Sequence, residues 1–367
     1  MGIAAHVAIG LLGAAVVIWV AVSAAITFVV PRGNQVALTR AVFVVLALAF
    51  RGIALRSRSY ESRDRIMAFY APFALLSLPI AWLVLAYFGF VMIYAALGVA
   101  PVHQALLESS SSLFTLGSVA AGDLPAAAVN AIEAGLGLGL VAILISYLPS
   151  IYSSYSRRET KVTGLDAYAG SPPFVGTMLR RLAIIERLDH TEELWHGWAE
   201  WFSDIEETHT SIPALVFFRS PQPERSWVTA AGTILDAASI VASSVTSEHH
   251  PEAQLCIRTG YLSLRRICDF YGLDYDDDPS PSDPISISRE EYDAVFDDLA
   301  AAGAPMVADR EAAWASFHGW RVNYDQALLE LATLTIAAPA PWSSDRARAP
   351  VALSGFGRRT RRLGRNA

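Results

Sequence analysis

One short polar stretch, SSSSLFTLGSVAAGDLP at 109–125, holds the residues whose types and spacing best suit chemistry. It has five serines, a threonine, two glycines and an aspartate, and it lies between two long uncharged runs, so it is too polar to be an ordinary membrane span. Main-chain carbonyls of a glycine-containing strand can replace the hydration shell of an ion when several copies surround one axis. The stretch predicts such a site only if the neighbouring elements hold its backbone in place.

Three long apolar runs flank or precede this stretch. Residues 7–30 are 24 uncharged residues, or about 36 Å of helix against a hydrocarbon core of about 30 Å. Similar runs at 67–97 and 126–148 predict two further spans. The first run is too long for a cleaved signal peptide and has no Lys or Arg before it, so we expect residues 1–31 to hold a transmembrane helix.

The segment at 36–58 is predicted to be an amphipathic helix in the membrane interface. Its apolar core at 41–50 is too short to span. On a helix, Arg40, Arg51 and Arg58 return to nearly one face, which favours arginines directed at lipid headgroups. A re-entrant segment or a full additional span is the alternative.

Positive charges indicate the orientation of these segments. Arg32 is the first charged residue and follows the first span, which puts the N-terminus outside. Basic residues precede the second span and follow the third, at Arg56, Arg58, Arg63, Arg65, Arg157, Arg158 and Lys161. Both flanks are therefore expected to be cytoplasmic, with the loop at 98–125 outside. The predicted location is a multi-pass protein of the cell membrane.

The outer loop has the composition of a short helix followed by a strand. Pro101 favours a helix start, and residues 102–114 predict a helix whose C-terminal dipole end would point into the membrane. The filter loop at 115–123 would follow it. Irregular backbone at membrane depth is tolerated only where protein or a wet cavity surrounds it. Several copies around an axis satisfy that condition.

This arrangement resembles the pore domain of bacterial potassium channels. The resemblance rests on a span, a loop helix, Thr115-Leu116-Gly117, Gly122-Asp123, and a second span with glycines. It implies an all-α membrane protein with a pore-loop ion-channel domain at 66–150, a homotetramer in the lipid bilayer that passes monovalent cations, potassium above all, and no cofactor. By the same resemblance, Thr115, Leu116 and Gly117 would form the inner filter, and Gly122 and Asp123 its outer end.

The sequence departs from the family between the two glycines. Ser118, Val119, Ala120 and Ala121 stand where the family has a single aromatic residue. Two interpretations stay open. Either the loop bulges and the protein conducts with altered selectivity, or the fold is kept without conduction and the protein is a membrane scaffold or sensor.

The second span carries two further features. Glu133 is an ionisable residue near its outer end. It is expected to support the loop by bonding to the backbone behind it, with a place in the ion path as the alternative. The span also carries Gly135, Gly137 and Gly139, which could form a gating hinge or allow helices to pack closely.

The second half of the chain predicts a cytoplasmic α-helical domain at 165–340. Helices are expected at about 177–190, 225–246, 252–272, 288–302 and 306–336. An apolar stripe recurs at helical spacing, and its members are Trp195, Trp198, Phe202 and Ile205. Cys256 and Cys268 are expected to be reduced and buried. A basic tail at 341–367 is predicted to meet anionic lipid or the acidic domain.

Charge and motifs exclude several other classes. Residues 166–345 hold 29 acidic residues and 11 arginines, so nucleic acid is not an expected partner. Asp274, Asp276 and Asp278 have calcium-loop spacing, but Pro279 replaces the required glycine. His249 and its neighbour His250 predict no metal site. We find no catalytic motif, and a membrane enzyme is kept only as a remote alternative.

Overall fold

The computed structural model describes residues 2–29, 37–119, 123–246 and 251–347, and within them it contains helices and no strand. The chain divides into two compact units. Unit 1 comprises 1–49 and 69–153, and unit 2 comprises 50–68 and 154–367. The first six helices are α1 (Ile3–Val29), α2 (Ala37–Ala54), α3 (Tyr60–Ala68), α4 (Tyr70–Ala96), α5 (Val102–Leu113) and α6 (Leu124–Ala169). The others are α7 (Val175–Ile184), α8 (Glu192–Ser211), α9 (Trp227–Ser244), α10 (Pro251–Tyr271), α11 (Arg289–Ala301), α12 (Arg310–Arg321) and α13 (Asp325–Thr335).

Five helical segments among the described residues are long and apolar enough to cross a membrane. They are Ile3–Thr27, Ala37–Ala54, Tyr60–Ala96, Leu124–Ala169 and Trp227–Ser244. The last of them is 89% buried inside the protein, whereas the first four are between 17% and 39% buried. The apolar surface of α9 is therefore covered by its own domain, and the apolar surface of the other four is available to lipid. This is the pattern of an all-α membrane protein, and the three predicted spans are confirmed as apolar helices.

Close backbone approach joins α1 to α4 in unit 1. A Cβ atom at Gly13 would lie 2.5 Å from the carbonyl oxygen of Gly89, and one at Gly89 would meet the side chain of Val17. Further along the same interface, the Trp82 indole donates a hydrogen bond to the Ser23 hydroxyl over 3.1 Å. Small residues of this kind let helices in lipid approach closely enough for extensive van der Waals contact.

The helix at 36–58 differs from the prediction. In the structure α2 ends at Ala54, so Arg58 lies beyond it. Arg51 is buried and donates to the carbonyl of Leu334 in unit 2. The prediction that arginines on this helix face lipid headgroups is therefore wrong for Arg51 and Arg58. Arg51 is buried and bonded to protein, and Arg58 is not part of the helix.

Unit 2 is helical, as predicted, and it has a dense aromatic core. All four members of the predicted apolar stripe on α8 are buried. Cys256 and Cys268 are free and buried, and burial raises the pKa of both thiols, which keeps them protonated.

The predicted helix at 306–336 is in fact two helices, α12 and α13. The amide of Asn323 donates to the carbonyl of Gly319 over 2.9 Å and closes the end of α12. Arg321 is fully buried and forms ion pairs with Asp236 and Asp325. Its Nε lies 2.7 Å from the Asp325 carboxylate. This buried ion pair fixes the bend between the two helices.

The α1–α4 contact gives a first prediction. Gly13→Leu would force a side chain against the Gly89 backbone, so we expect a fall in the thermal unfolding midpoint of the detergent-solubilised protein by several degrees, as overpacking costs about 1–3 kcal/mol. Gly52→Leu is the control, because nothing lies within 4 Å of a Cβ at that position. Equal unfolding midpoints of Gly13→Leu and Gly52→Leu would contradict the close contact between α1 and α4.

Candidate functional site

The candidate site is built on α5, which the structure places at Val102–Leu113, against the predicted 102–114. Two hydrogen bonds fix α5 to α4. The Tyr87 hydroxyl donates to the carbonyl of Leu106 over 3.2 Å, and the Ser109 hydroxyl donates to the carbonyl of Tyr87 over 3.3 Å. Tyr87 lies nine residues before the end of α4 at Ala96, or roughly 13 Å along the helix. The C-terminal half of α5 therefore lies beside the body of α4.

The C-terminal end of α5 also lies against the body of α6. A Cβ atom at Gly137 would overlap the carbonyl oxygen of Leu113, so only glycine fits at that position. Gly137 follows the first residue of α6, Leu124, by 13 positions, which is about 20 Å of helix. The end of α5 is thus beside the middle of the apolar part of α6.

The three glycines predicted as a hinge have different surroundings. Gly137 is a close-packing residue, whereas a Cβ at Gly135 or Gly139 would meet nothing within 4 Å. The helix α6 continues without a break through all three. The surroundings of Gly137 fit close packing, one of the two predicted roles, and a gating hinge stays a prediction.

Glu133 joins three helices behind the loop. Its side chain is fully buried and accepts hydrogen bonds from the Ser109 hydroxyl on α5 at 2.5 Å and the Tyr94 hydroxyl on α4 at 2.8 Å. The Tyr94 hydroxyl is also 2.5 Å from the side-chain oxygen of Asn130. The supporting position predicted for Glu133 agrees with this geometry, but its partners are side-chain hydroxyls, not the backbone.

The beginning of the loop is folded back onto α5 by Ser111. Its hydroxyl oxygen accepts hydrogen bonds from the amides of Ser118 and Val119, at 2.9 Å and 3.1 Å, and its carbonyl accepts from the amide of Leu116 at 2.8 Å. Serine supplies this anchor from within a helix because its short side chain reaches the turn that follows.

The hydrogen bonds of Ser111 determine where the loop carbonyls point. In a trans peptide the C=O group points opposite to the N–H group of the next residue. The amides of Ser118 and Val119 both face Ser111, so the carbonyls of Gly117 and Ser118 both point away from α5. Gly117 has a left-handed φ of 65°, which glycine adopts without cost. Two consecutive carbonyl oxygens are thus presented on one side of the loop.

Thr115 and Asp123 occupy the two ends of the described loop. Thr115 has a left-handed φ of 54°, which is unfavourable for a β-branched residue, and its hydroxyl donates to the carbonyl of Phe114 over 2.8 Å. Asp123 accepts from the amide of Ala126 at 2.9 Å and so caps the start of α6. Residues 115–118, which include Leu116, are exposed in the single chain.

Part of the predicted filter is not described. Ala120, Ala121 and Gly122 lie outside the described residues, as do His249 and its neighbour His250. In the described part of the chain, no group of three or more His, Cys, Asp or Glu side chains could hold a metal ion.

Sequence reasoning missed the residues that organise the loop, which are Tyr94, Ser109 and Ser111. A signal was present for the serines. Polar residues inside the last turns of a helix between two apolar spans must bond within the protein, so their partners could have been sought among Glu133 and the loop amides. Glu108, which lies on the same helix as these serines, is also buried in the structure, with 3% of its surface exposed.

The anchor made by Ser111 gives a second prediction. Ser111→Ala removes two hydrogen bonds from loop amides, each worth about 1 kcal/mol, so we expect amide hydrogen exchange of the peptide covering 114–119 to be roughly 5- to 30-fold faster. The measurement is exchange with mass spectrometry on protein in detergent.

Ser110→Ala is the matched control for this prediction. The Ser110 hydroxyl is exposed and donates only to the carbonyl of Leu107 in its own helix, so exchange in the loop should not change. Equal protection of the loop in both variants would show that Ser111 does not hold it.

Comparisons of the chain with protein-family models, with curated proteins and with solved structures find no match.

Proposed function

We propose that this chain is one subunit of a homotetrameric membrane channel that passes monovalent cations, potassium above all. The proposal is carried by one observation, the close contact of the Leu113 carbonyl with Gly137. That contact lies about 20 Å along α6 from Leu124, and a bilayer core is about 30 Å thick. An α6 that crosses the bilayer from Leu124 would therefore bring the end of α5 past mid-depth.

The loop after α5 would then run at membrane depth. Residues 114–123 join α5 to α6, and ten residues can extend over at most about 36 Å. Ten helical residues would cover only about 15 Å, so a distance of about 20 Å requires part of this segment to be non-helical. Residues 114–118 of this segment are exposed in the single chain, and irregular backbone in a membrane requires protein or water around it. This requirement supports several copies around a common axis.

The charge distribution favours a cation in that shared space. The carbonyls of Gly117 and Ser118 point away from α5, so in an assembly with the loops facing the axis they would be directed at an ion. The C-terminus of α5 adds the negative end of a helix dipole at the same level. Oxygen rings and helix C-termini of this kind replace the hydration shell of a cation.

Orientation and partners follow the charge pattern of the sequence. The positive-inside rule puts the N-terminus outside and unit 2 in the cytoplasm, in a plasma or inner membrane. The acidic composition of residues 166–345 makes nucleic acid an unsuitable partner. A non-conducting scaffold or sensor on the same fold is the second candidate, and the four residues SVAA between the two glycines favour it. No observation favours a membrane enzyme.

Cation flux in liposomes tests the proposal, with Gly117→Ala as the variant. Gly117 has a φ of 65°, and a Cβ in this conformation costs about 1–2 kcal/mol. We expect the wild type to pass potassium and the variant to pass it about tenfold more slowly or worse. A subunit count in detergent should give four.

Gly98→Ala is the matched control. Gly98 also has a left-handed φ, 90°, and open space around it, but it precedes α5. Its replacement should cost similar stability and leave flux unchanged. A strictly single-subunit protein, or flux that falls equally in both variants, would reject the pore.

Replacement of SVAA at 118–121 by a single tyrosine separates the two candidate functions. A protein that conducts through its natural loop should show potassium flux in the wild type, with higher discrimination against sodium in the replaced form. Flux only in the replaced form would identify the natural protein as a non-conducting relative. The readout is potassium against sodium flux in liposomes at matched protein content.

A further inference from the structure

A small cavity in unit 2 lies outside the proposed pore and is independent of it. Its walls come from the segment before α9, the start of α9 and the end of α13. The lining residues are Val216, Phe217, Phe218, Arg219, Ser220, Arg225, Ser226, Trp227, Thr335 and Ala337. The cavity has a volume of about 20 Å³, measured as the space open to the centre of a water-sized sphere. This exceeds the minimum of about 10–15 Å³ that one water needs. The cavity therefore admits one small group.

A buried hydroxyl in this cavity has no partner. Ser220 is 7% exposed, and its Oγ is buried without a hydrogen-bond partner among the described residues. Buried polar groups in folded proteins are nearly always bonded to protein or to a ligand. The Ser220 hydroxyl thus calls for an acceptor atom inside the cavity.

The start of α9 opens into the same cavity. This helix has 18 residues and Ser226 as its N-cap, whose hydroxyl oxygen accepts from the amide of Val228 at 3.2 Å. One capping side chain satisfies only one of the first four amides of a helix. The remaining amides and the helix dipole favour an anion at this end.

The charged residues that line the cavity have the sign that favours an anion. Arg219 and Arg225 are the two charged members of the lining, and both are positive. Each is held in place from behind. The Arg219 guanidinium bonds Asp64 at 2.5 Å and the Thr335 carbonyl at 2.6 Å, and the Nε of Arg225 bonds Asp166 at 2.7 Å. The paired carboxylates do not line the cavity, so the arginines are pre-positioned without presenting a negative group to it.

We propose that this cavity binds a small tetrahedral oxyanion of the phosphate class, with the Ser220 hydroxyl and the first turn of α9 as donors and the arginines as the electrostatic frame. The chemistry fits free phosphate or the terminal phosphate of a soluble ligand. One terminal oxygen can enter a cavity of this size while the rest of the ligand stays outside it. Unit 2 would then be a ligand-sensing domain.

Titration calorimetry of the full chain in detergent with inorganic phosphate tests the site. The wild type should bind phosphate saturably, and Ser220→Ala should bind about tenfold more weakly or worse, because a donor to a charged oxygen is lost. Acetate at equal ionic strength should not compete. Absence of saturable phosphate binding would mean that a water alone satisfies Ser220, and acetate binding as tight as phosphate would reject the assigned class.

Ser203→Ala is the matched control, since the Ser203 hydroxyl is exposed and donates only to the carbonyl of Ala199 within α8. Its phosphate affinity should equal that of the wild type. A second measurement protects the test against misfolding: phosphate should raise the melting midpoint of the wild type and of Ser203→Ala but not that of Ser220→Ala. Equal affinity in Ser220→Ala and wild type would place phosphate elsewhere and overturn the proposal. Vesicles with phosphorylated lipid headgroups that compete with free phosphate would assign the phosphate to lipid and overturn the soluble source.

Discussion

The close approach of the Leu113 carbonyl to the α6 backbone is the constraint on which the rest of unit 1 depends. Gly137 has no side chain, so the end of α5 can touch α6 directly, and any larger residue would move it away. Because α5 has only 12 residues, or about 18 Å, fixing its end also fixes how far the loop must travel to reach α6. The position of the loop beside α6 follows from that contact, and the direction of its first carbonyls follows from Ser111.

The buried carboxylate of Glu133 keeps this contact in register. A carboxylate removed from water is expensive unless hydrogen bonds compensate it, and Glu133 receives them from Ser109 on α5 and Tyr94 on α4. One side chain of α6 therefore selects both the rotation of α5 and its distance from α4. The polar serines that interrupt the apolar region have a structural reason: Ser109 faces the carboxylate and Ser111 faces the loop.

The sequence predicts local features of this site better than long-range ones. The start of α5 follows from Pro101, which is a local signal. The partners of Glu133 lie 24 and 39 positions away, so only the fold reveals them. The single helix expected at 306–336 fails for the same reason, because the bend depends on Arg321 reaching Asp236 on another helix. Hydropathy alone also cannot separate α9 from a membrane helix, since burial distinguishes the two.

The position of the Ser111 anchor bears on how the four-residue segment SVAA would act in the proposed pore. Ser111 holds the amides of Ser118 and Val119, which are the first half of this segment. The carbonyls of Gly117 and Ser118 are therefore set by α5, whatever path the later residues take. In the proposed pore, an inner geometry like that of potassium channels would persist while the outer geometry changes. Selectivity among cations depends on the number and field strength of the coordinating carbonyls, so the two carbonyls that α5 fixes would keep an ion site, and the path of the later residues would set its discrimination among cations.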